Sequence, residues 1–198
     1  MNRRAALKCG LVLGGSAALW RPQDAWAQAA GWTALFDGSN ANNWDPIGTA
    51  NWRLVEGGVL QADIGTGFLV SKADYADFQL RAEFWVDATA NSGIFIRCTD
   101  PKVVTAANAY EVNIFDTRPD PTFGTGAIVN VAKVSPMPKA ANQWNTFDIT
   151  AKGPEFTVVL NGIKTVDGAK DSQHAKGRIA LQYGAGIVRF RKVEIRTL

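Results

Sequence analysis

Histidine occurs once in these 198 residues and cysteine twice. A single imidazole, His174, cannot build a His-based zinc site. Cys9 falls in an N-terminal segment read below as an export signal, which leaves Cys98 without an intramolecular disulfide partner. The folded part must therefore be held by its core, and its length suits one domain. Helical periodicity longer than two turns is also lacking. So are a G-x-S-x-G elbow, a phosphate loop and a dinucleotide fingerprint, which removes the common serine-hydrolase and nucleotide chemistries.

A surplus of charge is missing as well. Residues 1–27 have a basic start with Arg3-Arg4, a short apolar stretch from Cys9 to Leu19, then Arg21 and the small-x-small site Ala25-Trp26-Ala27. This is the layout of a cleaved export signal, too short to span a membrane, and the paired arginines resemble a twin-arginine signal, with Sec export the alternative. A short amphipathic helix of the folded domain is the other reading of this segment. Arg3, Arg4, Lys8, Arg21 and Asp24 leave with the signal, so 17 of the 21 basic and 17 of the 18 acidic residues remain. A chain so balanced is a poor partner for nucleic acid, which needs clustered cations. The expectation is a periplasmic or secreted domain over residues 28–198, with no membrane anchor.

What the chain does contain is short apolar-alternating runs broken by turn residues. They cover 52–62, 67–71, 78–86, 92–98, 109–116, 144–153, 155–167, 177–184 and 187–198. Asn161-Gly162, between VVL and IKTV, is a strong hairpin signal. Many short strands without helices predict an all-β antiparallel sandwich or barrel. Residues 99–108 and 117–142 are the long loops, where functional groups tend to sit.

Alternation assigns faces. Leu80, Ala82, Phe84 and Val86 oppose Gln79, Arg81, Glu83 and Trp85. Ile94, Ile96 and Cys98 oppose Phe95 and Arg97, and Tyr110, Val112, Ile114 and Asp116 oppose Glu111, Asn113 and Phe115. The first set of each strand is expected in the core, Cys98 included. If the three strands are neighbours, Arg81, Glu83, Trp85, Phe95, Arg97, Glu111, Asn113 and Phe115 line one surface. A solvated sheet face with cross-strand ion pairs is one reading of that surface. Aromatics among planar hydrogen-bonding groups also suit a sugar ring, with its apolar side and hydroxyl rim.

FDGSNANNW (36–44), VEGGVLQA (55–62), ANSGIFIR (90–97), YEVNIFD (110–116), TGAIVNV (125–131), QWNTFDITAKGPEFTVVLNG (143–162) and FRKVEIRTL (190–198) occur in order. With NSGIF-x-R and YEV-x-I-x-D as the specific elements, the chain resembles the 3-keto-disaccharide hydrolase domain family, formerly a bacterial domain of unknown function. The resemblance implies a two-sheet jelly-roll sandwich of the concanavalin A-like lectin/glucanase type, acting on small carbohydrates oxidised at carbon 3. A 3-ketone acidifies the proton on carbon 2, so a base can remove it, the substituent on carbon 1 leaves, and water completes a net hydrolysis. That chemistry needs a base, an electrophile for the enolate oxygen and groups that position the ring.

Residue by residue, the resemblance makes Glu111 the base or a metal ligand and Arg97 the electrophile or hydroxyl clamp. Asn113, Asp116 and Gln182 would orient hydroxyls, and Trp85 or Phe95 would form the apolar platform. The family often reads close to LQDHG near the C-terminus, whereas this chain has LQYGAG (181–186), with Tyr183 and Gly184 in place of the acid and imidazole. Lys133 and Tyr183 are the substitutes at hand, and His174, in the polar KDSQHAKG run, is expected to be a solvated loop residue. The E-x-D-x-x-E strand of jelly-roll endoglucanases is absent. Oxygen-only coordination of a divalent cation by Glu111, Asp116 and water is compatible with this residue set. Three functions stay open: an exported 3-keto-glycoside-cleaving enzyme, a noncatalytic carbohydrate-binding jelly roll, and a structural or partner-binding sandwich.

Overall fold

Runs that bury every second side chain dictate strands, and residues 31–198, which the computed structural model describes, contain thirteen of them. Residues 1–27, read as the export signal, lie outside the described residues. In chain order the strands are β1 (Thr33–Phe36), β2 (Trp44–Gly48), β3 (Arg53–Val55), β4 (Val59–Ala62), β5 (Gly67–Tyr75), β6 (Phe78–Val86) and β7 (Ser92–Cys98). They continue as β8 (Tyr110–Ile114), β9 (Trp144–Lys152), β10 (Glu155–Leu160), β11 (Ile163–Lys170), β12 (Gly177–Tyr183) and β13 (Val188–Thr197). A 3₁₀ turn, Pro121–Phe123, interrupts the loop from β8 to β9. Sequence reasoning finds every strand from β3 onward and passes over β1 and β2.

The strands form two antiparallel sheets. The larger runs β11-β10-β9-β6-β13-β4-β3, with β1 also on β13, and the smaller runs β2-β5-β12-β7-β8. The expected jelly-roll sandwich is the fold. The turn between β10 and β11 places Asn161 at φ 51° and Gly162 at φ 81°, the left-handed pair of a type I′ turn whose twist matches the strands it joins.

The core lies between the sheets. Leu80, Ala82, Phe84 and Val86 of β6 face it with Phe147, Ile149, Phe156 and Phe190 from neighbouring strands, and the smaller sheet contributes Ile94, Ile96, Tyr110, Val112 and Ile114. Phe84 stacks on Phe147 at 5.0 Å between ring centres, and Tyr110 meets Phe156 at 4.5 Å. The alternation read from sequence is correct for these stretches. Among the described residues, no helix is long and apolar enough to cross a membrane.

Alternation breaks at the end of β7. Phe95 pairs with Ala180 but Cys98 with Arg178, so β7 carries one extra residue there, and Arg97 takes the left-handed φ of 53°. A one-residue bulge turns every later side chain to the opposite face. Cys98 therefore packs with Phe95, Val70, Val104, Ala109 and Ala180 on the outside of the smaller sheet, not in the inter-sheet core where it is expected. Arg97 is turned inward by the same bulge.

A second correction concerns neighbourhood. β6 belongs to the larger sheet, while β7 and β8 belong to the smaller one. Arg81, Glu83 and Trp85 therefore lie on a different side of the sandwich from Phe95, Glu111 and Asn113.

Candidate functional site

On the outer side of the smaller sheet, β8, β7 and β12 present a polar patch with an unusual floor. Glu111 pairs across the ladder with Phe95, and Asn113 with Gly93. Gly93 has no side chain to fill the space above it. A Cβ placed there would come within 3.3 Å of Glu111 Cγ and 3.4 Å of Gln182 Oε1. Both side chains thus lean over the same glycine, one from each neighbouring strand.

The electrostatics of this patch are those of a dry site. Glu111 is 9% exposed, and burial pushes its carboxyl up to about 7, with the Arg118 cation opposing the shift. Asn113 donates from Nδ2 to the Phe123 carbonyl at 2.7 Å. Its Oδ1 and Gln182 Oε1 are buried and accept no hydrogen bond from the protein. Buried polar atoms normally have partners, so these two acceptors on one sheet face stand open to donors from outside the protein.

Two loops frame the patch. Residues 126–129 extend the sheet beyond β8: Asn113 N–H donates to the Ala127 carbonyl, Gly126 N–H to that of Asn113, and Val129 N–H to that of Glu111. The loop before them carries Arg118. On the other side, Val104 of the 99–108 loop folds down onto Phe95 and Val70. From Gln182 an open cleft of about 340 Å³ continues over the end of β12, the start of β5 and the end of β2, lined by Ile47, Phe68, Lys102, Val103 and Val104.

Phe95, Glu111 and Asn113 share one outer face, as alternation predicts, and Gln182, which the family resemblance points to, joins them there. Arg97 is not. It is 1% exposed and donates to the carbonyls of Ala76 (2.8 Å), Gly153 (2.7 Å) and His174 (3.2 Å) and to Asp77 Oδ1 (3.1 Å). Its guanidinium carbon lies 5.3 Å from the centre of the Phe156 ring. Burial lowers its pKa, which Asp77 and Tyr110 partly offset. Arg97 is a buried clamp at one end of the sandwich.

Trp85 stands under the Arg189 guanidinium at 4.6 Å, beside Trp144 under Arg191 at 4.2 Å. Arg191 also pairs with Glu83, and Arg81 pairs with Asp148 at 2.6 Å. This ladder of cation–π contacts and ion pairs covers the larger sheet, remote from Glu111. Asp116 accepts from Thr125 Oγ1 (2.6 Å), Ala140 N–H (2.9 Å) and Ala141 N–H (3.0 Å), so its carboxylate ties loop segments together. Lys133 is exposed, with Nζ 5.6 Å from the Phe123 ring centre, on the loop that receives Asn113.

The proposed substitutes for the family's imidazole are also placed. Tyr183 packs in the core and donates its hydroxyl to the Gly186 carbonyl at 3.0 Å, and burial raises its pKa. His174 is buried, not solvated: its N–H donates to Tyr110 Oη at 2.9 Å, and its ring meets Tyr110 edge-on at 5.1 Å. Among the described residues no three His, Cys, Asp or Glu side chains are arranged to hold a metal. With Asp116 engaged by Thr125 and two backbone amides, the Glu111–Asp116 pair does not make a ligand set.

Sequence reasoning misses Arg118 and Phe68. Arg118 lies in a loop whose return to Glu111 only the fold reveals. Phe68 has a signal: it alternates with Leu69 in the 67–71 run, and the structure stacks it edge-on against Phe95 at 5.3 Å.

Gly93→Ala tests the floor directly. The added methyl would also sit 3.2 Å from the Val112 carbonyl oxygen, so Glu111 and Gln182 must give by tenths of an ångström. The expected result is a loss of ligand affinity or turnover of roughly tenfold to a hundredfold with little change in thermal midpoint, checked by calorimetry and thermal unfolding.

The antiparallel two-sheet sandwich is a jelly roll, and its family and structural neighbours place it in the glycosyl hydrolase-like or carbohydrate-binding class. The chain belongs to the 3-keto-alpha-glucoside-1,2-lyase-like domain family, whose model matches residues 31–196. Among solved structures it is similar to two proteins of Parabacteroides distasonis ATCC 8503 described as candidate glycosyl hydrolases. One has 18% identity and a TM-score of 0.76 over 91% of this chain and 98% of the other. The second has 27% identity and a TM-score of 0.70 over 84% and 99%. The carbohydrate-binding module CBM66 of Bacillus subtilis shares the fold, at 20% identity and a TM-score of 0.59 over 84% and 96%. No curated protein matches the chain.

Proposed function

We propose that this protein is an exported enzyme that cleaves 3-keto-glycosides by elimination and hydration at the Glu111 patch. The observation that carries the reading is the desolvated Glu111 carboxyl, leaning with Gln182 over the bare Gly93 floor. A base works best when its pKa lies near the working pH, and about 7 is such a value. Glu111 takes the proton from carbon 2 of the keto-sugar. The electron pair passes into the enolate, the carbon 1–carbon 2 double bond forms, and the bond from carbon 1 to its substituent breaks. Water then adds hydroxyl to carbon 1 and a proton to carbon 2.

Gln182 and Asn113 offer acceptors to ring hydroxyls, and Phe95 and Phe68 offer apolar contact. Arg118, whose charge acts on the Glu111 carboxyl, takes the electrophilic role that sequence reasoning gives to Arg97, and Lys133 extends the same rim. Asp116 contributes by holding the loops around β8, and Trp85 lies outside the site. The Arg3-Arg4 segment supports export, with residues 28–198 as the mature domain in the periplasm or outside the cell.

The test is turnover of 3-keto-trehalose and 3-keto-glucosides, read as release of the aglycone or second sugar. Because the base must be ionised, kcat/KM is expected to rise about tenfold per pH unit up to about pH 7 and then level. A profile that levels near the ordinary carboxylate range would remove Glu111 as the base.

A specific observation favours a second reading. The sole histidine of the chain is buried against Tyr110, away from Glu111, and CBM66 is a binding module of the same fold. A noncatalytic carbohydrate-binding domain would bind keto-glycosides at the same patch and release no product.

A further inference from the structure

We infer that the cleft running from Gln182 over β12, β5 and β2 is an aglycone site, and that the glycosides this enzyme takes carry an aromatic, phenol-derived aglycone. The inference rests on the Glu111 reading and names its substrate class. Gln182 belongs both to the polar patch and to the cleft. A sugar ring over Gly93 therefore points its departing substituent either under the loop that carries Arg118 or into this cleft. The cleft has the room, about 340 Å³, which suits one or two fused or linked rings.

Its lining is the wrong chemistry for a second sugar. Ile47, Phe68, Val103 and Val104 supply hydrocarbon, and Phe68 stands edge-on to Phe95 in the floor. Val103 is 57% exposed, an uncovered apolar side chain at the mouth of a cleft that already contains a Phe. A disaccharide's second ring would strand its hydroxyls against these side chains, whereas an aryl group buries a flat apolar face there.

The departure chemistry points the same way. Expelling an alkoxide calls for an acid beside the leaving oxygen. No carboxyl or imidazole lines the cleft, and the Tyr183 hydroxyl is committed to the Gly186 carbonyl. A phenolate leaves without a proton, since phenols ionise near pH 10, as tyrosine does. Lys102, also in the lining, offers a cation toward which the phenolate oxygen departs. The balance closes: Glu111 takes the carbon 2 proton, the enone keeps the sugar carbons, and the aglycone carries off the electron pair of its carbon–oxygen bond.

The experiment compares phenyl and 4-nitrophenyl 3-keto-glucosides with methyl 3-keto-glucoside and 3-keto-trehalose on the wild-type protein and on Val103→Asp. Val103 is exposed, so the variant should fold, and thermal unfolding checks it. The expected result is an aryl-over-methyl preference in kcat/KM of at least about tenfold, from burial of one ring face. Val103→Asp should lower kcat/KM for the aryl substrates severalfold more than for methyl 3-keto-glucoside, and so reduce that preference. Turnover of methyl and disaccharide substrates with no aryl preference, or an aryl preference insensitive to Val103→Asp, overturns the aglycone assignment and leaves the Glu111 reading standing. No binding or turnover of any keto-glycoside overturns both.

Discussion

Replacing Glu111 by Gln is expected to lower kcat on a 3-keto-glycoside by about 10²- to 10⁴-fold while leaving ligand affinity within a few-fold. The amide keeps the shape of the side chain over Gly93 and can still meet a hydroxyl, but it cannot take a proton. The same change is expected to stabilise the fold at neutral and higher pH. Burial raises the Glu111 carboxyl from 4.5 to about 7, so the folded protein holds a proton that the unfolded chain has released. Stability attached to this group is therefore highest below about pH 4.5 and falls as pH rises toward 7, by about 3 kcal/mol in all. Gln carries no such penalty. At about pH 8 the variant should unfold at higher urea concentration than wild type by an amount worth about 1–3 kcal/mol, with the difference shrinking toward pH 4.5. Lost turnover joined to gained stability is the mark of a carboxylate kept dry for chemistry. A variant that loses both would make Glu111 a structural group.

Arg97→Ala should act in the opposite way. Arg97 serves three carbonyls and Asp77 from a position that is 1% exposed. Its removal leaves the buried His174 carbonyl without this donor, gives up the part-buried bonds to Ala76, Gly153 and Asp77, and opens a cavity beside Phe156, at a cost of about 2–4 kcal/mol. Arg97→Lys keeps the charge but not the planar fork, and should recover only part of that loss. Where either variant is still folded, kcat should stay within a few-fold of wild type, because Arg97 does not reach the Glu111 patch. Denaturation midpoints and kinetics on the same samples separate the two roles. A stable Arg97→Ala protein without turnover would return Arg97 to the site.

Arg97 also shows where reading a sequence by alternation stops. The rule that successive side chains take opposite faces correctly orients Glu111 and Asn113, and Phe95 beside them, because β8 and the first part of β7 are regular. It fails two residues after Phe95, where one extra residue at a left-handed φ reverses the faces of Arg97 and Cys98. Nothing in SGIFIRC announces that bulge, since Arg is not a residue that favours positive φ. Trp85 fails for another reason. Its face is read correctly, but alternation carries no information about which sheet a strand joins, and β6 joins the other one.

His174 and Asp116 show the limits of reading polarity. KDSQHAKG is polar in composition, yet the Tyr110 hydroxyl accepts the His174 amide and draws the residue under cover. Asp116 looks like a site acid until the loop amides of Ala140 and Ala141, some two dozen residues away, close on it. Gln182 is legible only through the family resemblance, which keeps it although the two residues after it differ. Arg118 was not, because loop return is a tertiary event.

The most direct test of the account is to run the reaction in deuterium oxide and examine carbon 2 of the released 3-keto-sugar by NMR, with wild type and Glu111→Gln side by side. Removal and return of the carbon 2 proton predicts one deuterium at that carbon in the wild-type product, and almost no product or exchange with the variant. A product that keeps its original carbon 2 hydrogen, or exchange by Glu111→Gln at the wild-type rate, would contradict the assignment of Glu111 as the base.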